Sequence, residues 1–471
     1  MRLEKCLDGK SQQRRGAAKM TPKFDLNLVL RFALVAFVTF AGGSSSADAI
    51  QLIILRPVVF LIAFILLWVP GADWREIKVL AGLLGIFSLT MVIQLVPLPP
   101  LIWHAIPGHG RFNTVLDAVG ADANWRPLTV SVDGTVNAIV ALTIPFTTLL
   151  AIAHVQPDKR PKVLLVILAV VALSMALGIA QVAGESTSLL YFYQLDGSDQ
   201  LVGFFANRNH QAAMLAMSLP LIRVWVLLPK LDRFATGKSR PFIGGAAAAF
   251  VVMFILVLGS RAGLALGGIG LIGAFLVKPD LAAIRLWSWK RWMIAGAAAC
   301  GLAAMFAIVS FVDRSASVER IASMQTFSRE GRVEIMPVLL RIVADVWPFG
   351  TGYGSFVPVF KSYEPDTMLS PYYWNNAHND PLEVLITGGL PGALAIIAFL
   401  YWWMRASYRA FASGNAFRSH DIAARGAVLA TLILLLASLV DYPLRTPLLG
   451  AVFIALCCLM DPSGRRTNIC R

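Results

Sequence analysis

Long apolar runs separated by short polar connections recur from residue 27 to residue 460. A transmembrane helix needs about 20 such residues. Runs of roughly this length fall at 27–43, 50–69, 77–96, 134–154, 163–182, 209–228, 241–259, 262–278, 292–312, 382–404, 424–441 and 445–460. In lipid, a helix satisfies its backbone hydrogen bonds within itself. The pattern therefore predicts an all-α polytopic membrane protein of about 12 transmembrane helices. The expected organisation is a basic N-terminus (1–26), helices over 27–312, a long loop (313–381), helices over 382–460, and a tail (461–471).

Composition supports this reading. Apolar residues make up 57% of the 471 and charged residues only 14%, against about a quarter charged in soluble domains. The apolar run at 27–41 and Ala47-Asp48-Ala49 resemble a signal peptide with its cleavage site. Ile50 opens the next apolar run at once and Arg31 interrupts the first, so an uncleaved first helix is expected.

Charge sets the orientation. A net charge of +14 first suggests nucleic acid, but the basic residues form short clusters in alternate connections. These are 1–26, 70–78, 155–162, 229–240, 278–291, 405–425 and 461–471. The positive-inside rule makes that side cytoplasmic, with both termini on it. No nucleic-acid partner is expected. Segments 97–133, 183–208 and 313–381, with tight connections at Ser260-Arg261 and Asp441–Arg445, fall on the other side. The basic residues there are nearly all Arg. Arg grips phosphate in a bidentate fork, whereas Lys offers a point charge, so an anionic ligand is expected at the outer face. None of the five cysteines falls in an outer segment, and no metal-type Cys spacing is present.

Four histidines are outer candidates for acid–base work: His104, His109, His210 and His378. His378 precedes Asn379-Asp380-Pro381-Leu382-Glu383, in which Asp380 suits an N-cap, Pro381 the first helical position and Glu383 a capping box. His378 would then sit at a helix mouth, where free N–H groups favour an anion. Gly388, Gly389, Pro391 and Gly392 predict a kink in the helix that follows. In GFFANRNH (203–210), Asn207 or Asn209 can cap the next helix and hold Arg208 beside it. Arg261 lies in a hairpin too tight for a solvated loop, so a partner is expected. Residues 329–347 show helical spacing of apolar positions and predict an amphipathic helix on the membrane surface or packed on the body. The Gly-rich run 348–356 lacks the Lys-Ser/Thr of a phosphate loop and reads as a turn. Tyr372, Tyr373 and Trp374 offer aromatic faces suited to a sugar ring.

The segment 378–392, His-Asn followed after nine residues by Gly389-x-x-Gly392, resembles the signature of the O-antigen ligase family. This superfamily also holds O-antigen polymerases. GFFANRNH and SRAG (260–263) are similar to that family in the same order; WRPLTV (125–130) and DYPLRTP (441–447) are weaker echoes. The resemblance implies a GT-C-like multi-helix glycosyltransferase of the bacterial inner membrane with a periplasmic active site. It implies a donor glycan on undecaprenyl diphosphate and a sugar-hydroxyl acceptor: lipid A–core for a ligase, another carrier-linked glycan for a polymerase. It implies no metal and no cofactor. His378 becomes the base or acceptor-orienting group, and Arg261 and Arg208 take the diphosphate. Asn379, Glu383, Arg332, His210 and Asn209 are supporting candidates. A single displacement would invert the anomeric centre. A multi-pass transporter is the competing class, but the polar features cluster at one face and no half-to-half repeat is visible.

Overall fold

A computed structural model describes residues 25–120, 122–183, 189–193, 201–232, 234–235, 237, 239–279, 334–369, 374–412 and 419–460. The expected helix at 292–312, the supporting candidate Arg332, and Tyr372 and Tyr373 lie outside the described residues.

The described chain is overwhelmingly helical. Its helices are α1 (Leu26–Ala41), α2 (Leu52–Trp68), α3 (Trp74–Ile93), the short α4 (Pro100–Ala105) and α5 (Asn113–Ala118), α6 (Val132–Ala141), α7 (Thr143–Ala153), α8 (Val163–Ala183), α9 (Arg208–Leu227), α10 (Ser239–Val257) and α11 (Arg261–Leu276). They continue as α12 (Met336–Val346), α13 (Phe356–Tyr363), α14 (Asp380–Ala412), α15 (Ser419–Ala437) and α16 (Pro447–Met460). One small antiparallel pair joins Pro97–Leu98 (β1) to Arg126–Pro127 (β2).

Six spans among the described residues are long and apolar enough to cross a membrane, counting α6 with α7 as one, and five shorter apolar helices accompany them. The run expected as one helix at 134–154 breaks at Leu142. Pro145, three residues later, cannot donate to the Ala141 carbonyl, which loosens the ladder there.

Helices α9 and α15 form the centre: 78% of each apolar window is buried. Helix α9 packs against α8, α10, α11 and α15, and α16 packs against α15 and α7. Small residues permit the close approach. A Cβ on Gly263 would fall 2.5 Å from Ala212 Cβ, and one on Gly270 2.6 Å from the Ala216 carbonyl oxygen. Without a hydrophobic drive between helices in lipid, such close contact is what holds a bundle together.

The alternate connections gather at opposite ends. At one end the Asp73 N–H donates to the Ala153 carbonyl, and His154 bridges the carbonyls of Leu150 and Val69. At the other end the connections around 43, 206, 260, 378 and 441 are hydrogen-bonded to one another. These described connections thus fall at two ends of the bundle.

A second, smaller core stands at this latter end. The amphipathic α12 buries Leu339, Ile342 and Val346 against Phe356 and Phe360 of α13, Trp374, and Leu382 and Ile386 of α14. Its apolar face packs on the body rather than lying open to a membrane surface. Each such side chain contributes about 1.5–3 kcal/mol when fully buried.

The Gly-rich run seats this subdomain in a kink of α14. Gly389 adopts φ 54, ψ −145, a region open to glycine alone, and the Leu390 N–H donates to Pro348 instead of its own helix. The Thr351 and Gly352 amides donate to Ile386 and Thr387, and the Tyr353 amide donates to Gln94 Oε1. These amides are spent on the fold, as a turn requires and a phosphate cradle would not allow.

Candidate active site

Three helix N-termini meet at one end of the bundle: α9 at Arg208, α11 at Arg261 and α14 at Asp380. Each begins with a side-chain cap. Asn207 Oδ1 accepts from the Asn209 N–H (2.8 Å) and Ser260 Oγ from the Gly263 N–H (3.0 Å). At α14 the cap differs from expectation. Asn379, not Asp380, accepts from the Leu382 N–H (2.9 Å), and its amide donates to the Leu439 carbonyl. The capping box does not form either: Glu383 Oε2 accepts from the Ala377 N–H (2.7 Å), outside the helix.

Asp380 and Glu383 are drawn off by a residue the sequence reading did not assign. Arg445 donates from Nε to Asp380 Oδ1 (2.7 Å), and one terminal nitrogen reaches Glu383 Oε1 (2.6 Å) and Asn376 Oδ1 (3.3 Å). Burial alone would lower the Arg445 pKa, but the charges of Glu383 and Asp380 outweigh it and hold the guanidinium pKa above its ordinary value. This clamp fixes the 376–383 segment to the turn between α15 and α16.

His378 sits inside the clamped segment with φ 51. Left-handed backbone is uncommon outside glycine, and His is one of the side chains that tolerate it. Such strain persists only where neighbours over-determine it. The imidazole packs edge-on to Trp374 (5.6 Å between centroids) and tilted against Tyr442 (4.8 Å), and its side chain is 14% exposed. Trp374 itself is buried against Phe360, so it backs the histidine instead of offering a face to a sugar.

Asp441 organises the centre. Its Oδ1 lies 3.3 Å from His378 Nδ1 and 3.9 Å from His210 Nε2, and its Oδ2 accepts from Asn209 Nδ2 (2.8 Å). Asn209 Oδ1 accepts in turn from the Ser260 hydroxyl (2.8 Å). One polar chain therefore runs from the start of α11 through α9 to the α15–α16 turn and His378. Tyr442 lies between the rings of His378 and His210.

Of the sequence candidates, the structure joins His378, Asn379, Glu383, Asn209 and His210 through these contacts. Arg208 and Arg261 are half-buried in the first turns of α9 and α11, each next in sequence to a member of the chain, Asn209 and Ser260. His104 and His109 belong elsewhere: His104 bridges Asn113 and Asp122, and His109 is buried with Nε2 on the Leu128 carbonyl (2.8 Å). Asp441 and Arg445 were missed as site residues. Their signal was present, because two opposite charges in a turn between apolar runs need partners for the same reason Arg261 does.

Residues 246–397, about a third of the chain, match the family model described as O-Antigen ligase. The resemblance read from the His-containing segment is therefore shown by an independent comparison. The matched stretch runs from within α10 into α14 and carries Arg261, His378 and the kink at Gly389. No curated protein matches the chain. The match supports a ligase- or polymerase-type membrane glycosyltransferase.

Proposed function

We propose that the chain transfers a glycan from an undecaprenyl-diphosphate carrier to a sugar hydroxyl of lipid A–core, at the periplasmic end of the bundle. The observation that carries this reading is the placement of His378. It stands at a helix mouth, beside Asp441, in the polar chain that ends at the Arg-bearing starts of α9 and α11.

The chemistry follows from that placement. A hydroxyl attacking an anomeric carbon must lose a proton, and a neutral imidazole can take it. With Asp441 beside Nδ1, the proton belongs on Nδ1, and Nε2 is the base. The new bond joins the acceptor oxygen to the anomeric carbon, and the bond from that carbon to the diphosphate breaks. Negative charge builds on the departing lipid diphosphate. Arg208, Arg261 and the N–H groups of their helix starts are the groups that meet that charge in this reading. One displacement with one base inverts the anomeric centre and asks for no metal. Arg332 remains a supporting candidate on sequence grounds alone.

A polymerase would use the same donor half and differ only in acceptor. Gene deletion separates the two: long glycans stranded on the carrier mean a ligase, single repeat units a polymerase. His378→Asn is the sharper site test, because Asn accepts left-handed backbone. The variant is expected to reach the membrane folded and to lose glycan transfer, as is Arg261→Ala. Full transfer by either variant removes that residue from the mechanism.

A further inference from the structure

Arg56 lies within the apolar helix α2, in the run LIILRPVVF. The packed face of α2 is Leu52, Leu55, Val59, Ile62 and Leu66, and its open face carries Ile53, Ile54, Phe60, Leu61, Phe64 and Leu67. At about 100° per residue, Arg56 sits roughly a quarter-turn from the centre of the packed face. It is therefore on the border between bundle and lipid, and it is partly buried. Among the described residues its Nε is shielded from solvent with no acceptor, and no carboxylate pairs with it.

A guanidinium stays charged at any physiological pH, and such a charge inside a span is expensive unless an anion meets it. The surroundings say which end that anion occupies. Arg56 is one turn from the start of α2, and Thr39, whose buried hydroxyl also lacks a partner among the described residues, is in the last turn of α1. The two helices pack together, so both unpartnered groups fall at the same end of one hairpin.

That end adjoins the candidate site. The hairpin loop is stitched to the chain that leads into α9: the Ala206 N–H donates to the Gly43 carbonyl, the Gly43 N–H donates to the Tyr193 hydroxyl, and Gln51 Nε2 donates to the Phe192 carbonyl. Arg208 follows Ala206 by two residues. The Leu448 N–H donates to the Gly42 carbonyl, just beyond the Arg445 turn.

We propose that Arg56 is the binding site for a lipid-borne phosphate, held at the bilayer edge of the bundle beside the entrance to the candidate site. The chemistry is a phosphate group on an acyl or polyprenyl chain, because its tail stays in the lipid that α2 faces while its head reaches a guanidinium fork. That the neighbouring site receives a lipid-linked donor rests on the proposed function; the binding itself does not.

The test uses the full-length protein purified in an uncharged sugar-headgroup detergent. Binding of undecaprenyl phosphate and of phosphatidylglycerol is measured by native mass spectrometry, with diacylglycerol as the phosphate-free control. Wild type should bind one more phospholipid molecule than Arg56→Gln, or bind it roughly tenfold more tightly, the worth of a charge-assisted contact. Arg56→Lys should recover part of the affinity. A preference for undecaprenyl phosphate points to the carrier as ligand, and equal binding of phosphatidylglycerol to a general headgroup site. Equal binding of both lipids by wild type and Arg56→Gln, with unchanged melting temperatures, overturns the proposal. His378→Asn should bind like wild type here, so failure at Arg56 leaves the transferase reading intact, and loss of transfer in His378→Asn says nothing about Arg56.

Discussion

Nδ1 of His378, just before α14, lies 3.3 Å from Oδ1 of Asp441, in the turn between α15 and α16. A carboxylate there does two things. In the proposed mechanism it would favour the tautomer that leaves Nε2 basic and would stabilise the imidazolium formed when the acceptor loses its proton. Asp441→Asn keeps the shape but removes the charge. Glycan transfer is expected to fall roughly 10²–10⁴-fold, the usual worth of acid–base catalysis. The loss should appear in kcat with little change in KM, measured on reconstituted enzyme. An unchanged kcat would separate Asp441 from the reaction.

Arg445 joins two carboxylates that have no other cation within reach among the described residues. The side chain is 31% exposed, whereas that of Glu383 is 4% exposed. Removing one partner of a buried pair strands the other's charge. Arg445→Ala is expected to destabilise the protein by roughly 2–3 kcal/mol, below the full cost for a wholly buried pair. Adding Glu383→Gln should recover part of that loss, because the stranded charge disappears. Thermal unfolding of the single and double variants in detergent checks both statements. A double variant no more stable than Arg445→Ala would mean that the clamp acts by packing.

Much of the bundle was legible because apolar periodicity and helix length are local properties. Helices occupy eleven of the twelve expected positions, and the twelfth lies outside the described residues. The boundaries moved by a few residues, as α14 shows by running on to Ala412. The site was only half legible. His378, Arg208 and Arg261 announce themselves by standing at helix starts. Which side chain caps α14 could not be read, because Asn379 and Asp380 are both good caps. The choice was made by Arg445, distant in sequence, which draws Asp380 and Glu383 away. The role of Asp441 was hidden for the same reason: it exists only where the α15–α16 turn meets the start of α9.

His109 gives the segment between β1 and β2 a pH dependence of its own. Burial pushes its pKa below the ordinary 6.5, against contacts to the Leu128 and Pro107 carbonyls that raise it. The folded state therefore resists a proton that the unfolded chain accepts. Stability is complete above the unfolded value of 6.5 and is lost as pH falls through the lowered folded value. Hydrogen-exchange protection over residues 97–131, taken relative to the intrinsic exchange rate at each pH, should weaken as pH falls below 6.5. His109→Gln should flatten that response. An equal loss of protection in the variant would assign the effect to another group.

Asn209 is the one member of the polar chain that must be an amide. It donates from Nδ2 to Asp441 and accepts at Oδ1 from Ser260. Asn209→Asp preserves shape yet sets two carboxylates against each other, and like charges at such a distance disfavour joint ionisation. The variant should be less stable at neutral pH and regain stability as pH falls and one carboxyl takes up the shared proton. Pairing it with Asp441→Asn restores a donor opposite an acceptor, with the roles exchanged. The double variant should melt close to wild type, while its glycan transfer stays low because the charge no longer faces His378. Melting curves at two pH values and a transfer assay separate these effects. Recovered stability without recovered activity would show that the contact between α9 and the α15–α16 turn is structural and that the charge on residue 441 serves the histidine. Recovered activity as well would place the carboxylate's importance in its hydrogen bond alone.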